Sequence, residues 1–492
     1  MAETISNNID NIDHSSDGDS RIIHGFNPIA PDSRNTQKVP GSLDSDLRIY
    51  QKIGEVLPVQ KEKEEPLKSS IFGATIILNN ICLGTTIFTF AIRAKSFGLV
   101  WFLFFCIITG FINYWTIMRG GAASYKYKEN DYSQLTSIIL GKKAGYIVSI
   151  FMILYSYALM ICFLSLIYPL IGRFVQNIAY NNKYDTYEDF EKSKWGNSYI
   201  KFPFFVAIIF FIAIISLVRN SNKLKFLGYF GIIAVFYTLF IVMIQCSDYY
   251  NYYKNTKYNK NDIKTHPNWL NLGNAFTKDL DFFKGMANLF CAYACHPRIF
   301  QVFAGFKTQK NGIKKMRYGV IFATCLTTSL HIISIVCSFL TDPYAPEDLV
   351  LYRKKKGNGK DIAMSISILL VAINLAFNIP GYYFDLRSSI SISFTGGKIT
   401  DKFNYIFTFL SFLGCTIIAL LYNKILHYLT YIGGFISVFI CYLNPILIYV
   451  FSTEKKLKYW KNIVEIIFAI ILCIIGIIAG ILTIIDDIKN LN

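Results

Sequence analysis

Two stretches of this sequence combine residues that interrupt helices with residues that bind small charged groups. The first is Asn79-Asn80-Ile81-Cys82-Leu83-Gly84-Thr85-Thr86-Ile87, and the second is Cys291-Ala292-Tyr293-Ala294-Cys295-His296-Pro297. Gly84 permits unusual backbone angles, Thr85 and Thr86 compete for backbone hydrogen bonds, and Pro297 removes a donor. A helix interrupted in this way leaves free N–H groups on one half and free carbonyls on the other. The N–H groups, helped by the positive end of the helix dipole, hold a carboxylate, and the carbonyls hold a cation or an ammonium group. An α-amino acid carries both charges on its own backbone, although other small anions fit the donor half as well. The candidate ligand-binding residues are therefore Asn80, Gly84, Thr85, Thr86, Tyr293 and Ala294. Tyr155, Ser156 and Tyr157 are further candidates to line the cavity, with Tyr157 counted in the binding set; aromatic packing is the bland alternative.

His296 has two readings. Beside a helix break it could sense or carry a proton; alternatively it is structural, bonded to a carbonyl that Pro297 frees. Asp385 and Arg387 are gate or latch candidates, and the plainer role for Arg387 is a headgroup anchor or a salt bridge holding loop 388–402. No His-Glu-x-x-His or Cys-x-x-Cys spacing occurs, so no metal site is expected. Gly357-Asn358-Gly359-Lys360 lacks the spacing and the Ser/Thr of a phosphate loop. No nucleophile–base pair stands out either, so neither an enzyme nor a cofactor is expected.

The elements that must carry these residues are set by hydropathy. Of the 492 residues 53% are hydrophobic and only 16% charged, whereas soluble domains carry roughly 25% charged residues. The apolar residues fall in eleven uncharged blocks near the ~20 residues that cross a bilayer: about 69–92, 96–118, 144–172, 202–218, 226–247, 282–304, 318–341, 362–384, 403–423, 426–451 and 463–485. The fourth is short, and the sixth carries Lys284 and Arg298. The class is an all-α polytopic membrane protein with eleven transmembrane helices. The two stretches lie in blocks one and six, corresponding places in a division into 1–5, 6–10 and 11. That is the inverted five-plus-five repeat of the LeuT-like plan with helices one and six broken, plus one C-terminal helix. Segment 131–141 carries Leu135, Ile138 and Ile139 at helical spacing with Gly141 as a stop, and reads as a connector along the inner membrane face.

Residues 1–68 hold twelve acidic and eight basic side chains. They are polar, carry no signal peptide, and read as a disordered cytosolic tail preceding a transporter domain over 69–492. The basic excess of the remainder sits between apolar blocks, where Lys and Arg anchor helix ends to lipid headgroups rather than to nucleic acid. The Lys/Arg bias between the two sides is weak. The unsignalled tail and the low acid content of loops 119–143, 307–317 and 454–461 favour a cytosolic amino terminus, in either a plasma or a vacuolar/lysosomal membrane. All eleven cysteines lie inside apolar blocks or at their edges, as small hydrophobes rather than a disulfide framework. A monomer in the lipid bilayer is expected. Heavy use of Lys, Asn, Ile and Tyr resembles the product of an AT-rich genome, such as that of an apicomplexan or another protist.

Beyond these physical readings, Asn80-x-x-x-Gly84-Thr85-Thr86-Ile87 followed by Gly98 resembles the Asn-x-x-x-Gly-Ser-Gly-Ile opening of the amino acid/auxin permease superfamily. Within it the sequence is most similar to the neutral amino-acid transporters of the system A/N kind. Asp131 to Leu135 and Leu140 to Gly145 resemble the family's SYxEL…LGxxG segment, and Tyr293 to Pro297 its FxxCHP. Asn378-Ile379-Pro380 through Arg387-Ser388-Ser389 matches TVP…IRSS with the same Pro-to-Arg spacing, and Tyr431 to Gly434 with Asn444-Pro445 fit its tenth helix. The resemblance implies a symporter or facilitative carrier whose coupling ion is H+ or Na+. Asn80, Asn378 and His296 are then the cation or coupling candidates. Asn378 stands where sodium-coupled members carry a helix-eight hydroxyl, and Thr86 replaces the second Gly, so the resemblance favours amino-acid transport over sodium dependence.

No Asp or Glu falls in the central part of blocks one, three, six or eight, with Asp385 near one end. A buried cationic side chain would lack a partner at a cost of several kcal/mol. Neutral amino acids, including large or aromatic ones, are therefore the expected substrates, carried by alternating access. The rival reading is a sensor that binds an amino acid and signals through a partner.

Overall fold

The computed structural model describes residues 70–179, 192–193, 202–217, 225–256, 268–273, 276, 280–307, 309–343, 349–353, 361–394, 400–422, 424–453 and 459–489. The tail expected over 1–68 lies outside them. Among the described residues every regular element is helical.

The first apolar block is not one helix. Helix α1 (Ile71–Cys82) starts where Ser70 Oγ accepts from Gly73 N at 2.9 Å and ends with Leu83 N donating to Asn79 O at 2.7 Å. Gly84 is extended (φ −77°, ψ −152°), and a single 3-10 turn follows over Thr85–Phe88. The Thr89 hydroxyl donates to Thr86 O at 2.8 Å, closing that turn before α2 (Phe90–Phe97) begins. Gly98 then turns the chain at φ +81°, a left-handed conformation suited to glycine, and a Cβ there would also meet the Leu270 and Asn271 backbone at 3.1 Å.

Helix α3 (Leu99–Tyr127) leads to α4 (Tyr132–Leu140), whose start is capped by the Asp131 carboxylate accepting from Gln134 N at 2.9 Å. Gly141, at φ +95°, stops it as the sequence indicates. Next come α5 (Lys142–Ala179), α6 (Phe202–Ser216) and α7 (Lys225–Thr256). The sixth block is again divided, into α8 (Asp281–Ala292) and α9 (His296–Ala304), with Pro297 in the first turn of α9, where its missing N–H costs nothing. Helices α10 (Gly312–Thr341), α11 (Ile362–Phe394) and α12 (Asp401–Leu421) follow. The tenth block runs as α13 (Ile425–Tyr431), a π-helical stretch (Ile432–Leu443) and α14 (Asn444–Ser452), and α15 (Trp460–Lys489) ends the fold.

Eight of these helical runs are long and apolar enough to cross a membrane. The other three expected blocks hold the broken pair α1–α2, the 15-residue α6, and the broken pair α8–α9. Large apolar side chains such as Phe111, Phe210, Ile233, Phe409 and Ile467 face outward, as lipid-facing helices require. Inside, helices approach through small residues. A Cβ on Gly433 would come within 1.8 Å of Ala287 O, and one on Gly434 within 2.5 Å of Gly476 O, so the tenth block lies backbone-to-backbone on α8 and α15. The π-helical stretch leaves carbonyls off the regular ladder. Tyr132 Oη donates to Ile440 O at 2.5 Å, and Cys473 Sγ to Val438 O at 3.4 Å.

Candidate functional site

The two helix breaks meet. Cys82 Sγ, at the end of α1, donates to Tyr293 O, just past the end of α8, at 3.9 Å. Cys82 and Cys295 line the same small void with Asn113 and Thr327. Gly84, before the 3-10 turn, and Cys295, before α9, make no side-chain cap of their own, and the His296 N–H meets the Cys441 thiol. The carbonyls of the second break are largely taken up by the protein. Tyr155 Oη on α5 donates to Ala294 O at 2.8 Å, and Cys295 N to Tyr293 O at 2.9 Å.

Around the breaks, Gly84 has open space on its side-chain side, where a Cβ would meet only the ring of Phe163 at 3.9 Å. Thr86 is buried; the side chain of Thr85 lies outside the described residues. The Asn80 amide donates to Asn378 Oδ1 at 2.9 Å, and the Asn378 amide to Asn374 Oδ1 at 3.0 Å, a ladder joining α1 to α11. Gly231 of α7 packs against it, since a Cβ there would lie 2.1 Å from Asn80 Oδ1 and 2.4 Å from Asn374 Oδ1.

Residues 67–488 match the family model described as transmembrane amino acid transporter protein. The chain belongs to that family. A search of curated proteins finds no match to it. The match spans both broken helices and reaches every membrane-length helix among the described residues of this amino-acid transporter.

Several candidates sit elsewhere than their spacing suggests. Tyr157 turns to α12, where its hydroxyl shares a hydrogen bond with Ser411 Oγ at 3.0 Å. Tyr155, two residues earlier, is the one that reaches the break. Tyr293 contributes its backbone to the break but sends its side chain away: Oη donates to Thr328 Oγ1 at 3.0 Å and Cys106 O at 3.2 Å, and the ring lies edge-on to His331 at 4.9 Å. His296 is buried, with Nε2 2.9 Å from Thr116 Oγ1 on α3, so its partner is a hydroxyl rather than a carbonyl freed by Pro297.

Asp385 and Arg387 do not act together. Arg387 donates to Asn404 Oδ1 on α12 at 3.1 Å and reaches Ser216 O at the end of α6 at 3.5 Å. The loop it was expected to hold begins later than 388, because α11 continues to Phe394. Asp385 instead accepts from Arg298 Nε on α9 at 2.5 Å. Arg298 is the residue that sequence reasoning left unassigned; the one signal for it was a charge inside an otherwise apolar block.

Proposed function

We propose that this transporter carries neutral α-amino acids by alternating access, binding them between the α1–α2 and α8–α9 breaks. The observation that supports the reading is the contact of the two breaks, Cys82 Sγ against Tyr293 O, beside the open face of Gly84. The start of the 3-10 turn after Gly84, which no side chain caps, suits the substrate carboxylate. The Tyr293 carbonyl suits its ammonium group once Cys295 N yields it, while Tyr155 keeps Ala294 O in place. The broken pairs and α6 complete eleven spans in the five-plus-five-plus-one plan, with the amino terminus cytosolic. Coupling is to protons, or transport is facilitative, because Asn378 carries no hydroxyl and its Oδ1 is occupied by Asn80.

Uptake of labelled leucine into cells expressing the protein, challenged by a panel of unlabelled amino acids, tests the reading. Large neutral amino acids are expected to compete best. Strongest competition by arginine or lysine would refute the neutral assignment.

A further inference from the structure

Arg298 lies three residues beyond Cys295 and crosses to α11, where it pairs with buried Asp385 at 2.5 Å. Its guanidinium carbon stands 4.1 Å from the centre of the Tyr382 ring. Gly381 makes room for it, since a Cβ there would fall 2.8 Å from both Nη1 and Nη2. Nη2 is buried without a hydrogen-bond partner.

Tyr382 links this pair to the breaks. Its ring meets Tyr155 edge-on at 6.2 Å and Phe163 edge-on at 5.5 Å. Tyr155 holds Ala294 O at one break, and Phe163 faces Gly84 at the other. Three aromatic rings thus run from one break to the other, and the Arg298 guanidinium packs on the Tyr382 ring among them.

We infer that the Arg298–Asp385 pair faces the substrate side chain in this transporter and that its charge balance sets which side-chain class is admitted. The inference rests on the substrate site lying between the two breaks. Tyr155, Phe163 and Tyr382 receive the substrate side chain. A charged side chain arriving there loses its water, and the two opposite charges within reach are already paired with each other. The balanced pair offers no net counter-charge to Lys, Arg, Asp or Glu side chains, while an uncharged side chain needs none. Removing one member of the pair creates that counter-charge and reverses the exclusion for one class only.

The test compares Arg298→Gln, Asp385→Asn and the double variant by competition against labelled leucine, at matched surface expression. Arg298→Gln is the better tolerated single change, because the Asp385 carboxyl can hold a proton while the site is empty and release it when a cationic side chain arrives, whereas a guanidinium cannot shed its charge. It is expected to admit lysine and arginine with a gain of at least about tenfold, the scale of a close charge pair. Asp385→Asn is expected to gain for glutamate in the same way, and the double variant to keep the preference for leucine. An Arg298→Gln protein that reaches the surface and shows no gain for lysine or arginine, whether leucine uptake persists or is lost, overturns the inference. So does a double variant that takes lysine as readily as leucine. Absence of leucine uptake by the unaltered protein would instead refute the transport reading beneath it.

Discussion

Asn80 on α1 and Asn378 on α11 are 298 residues apart in sequence and share a buried hydrogen bond of 2.9 Å. The amide of one fills the carbonyl oxygen of the other, and Asn374 continues the ladder. Replacing sodium by choline at fixed pH is therefore expected to leave leucine uptake intact; uptake that vanishes would show a sodium site at this place. Asn378→Ala should lower the thermal midpoint in detergent only slightly, because interhelical side-chain hydrogen bonds in membranes contribute about 0.6 kcal/mol on average and at most about 2 kcal/mol.

Gly84 has a φ of −77°, which any residue adopts, and its side-chain direction points into open space bounded by Phe163. Gly84→Leu should accordingly fold and reach the membrane while its side chain occupies the proposed site. Loss of uptake with normal surface expression is the expected result. Normal uptake would remove the site from this break.

Both breaks were legible in the sequence because they are made by residue types that oppose helix: Gly84 with two threonines in one case, Pro297 in the other. The stop at Gly141 was legible for the same local reason. Side-chain directions were not. Helix α5 is apolar on nearly all sides, so no hydrophobic stripe fixes its rotation. Tyr155 and Tyr157, two apart, point to different neighbours for the same geometric reason that i, i+2 pairs never share a helix face. That rule also separates Asp385 from Arg387. The true partner of Asp385 is Arg298, 87 residues earlier, and nothing in local spacing encodes a contact that the packing of α9 on α11 creates.

The two tyrosines supply a paired control. Tyr155→Phe removes the donor to Ala294 O and leaves that carbonyl buried without it, a loss of about 1 kcal/mol. Initial uptake rates should fall about fivefold, the factor that such an energy represents. Tyr157→Phe, which loses only its bond to Ser411, should transport at close to the normal rate. Equal losses in both variants would contradict the placement.

Packing of the tenth block offers a test of stability independent of substrate. At Gly433 a methyl group would lie 1.8 Å from the backbone oxygen of Ala287, and neither helix can yield without moving its neighbours. Gly433→Ala should cost at least about 1–3 kcal/mol, the usual range for overpacking. The expected readouts are a lower thermal midpoint and reduced surface expression, whereas Gly414→Ala, with nothing within 4 Å of the added carbon, should change neither.

The most direct test of the central claim is counterflow in liposomes containing only the purified protein. Vesicles loaded with unlabelled leucine and diluted into a trace of labelled leucine should accumulate label transiently, with saturable dependence on leucine and no accumulation in Gly84→Leu vesicles. Leucine binding by the purified protein without any exchange of label would contradict the carrier and leave a sensor.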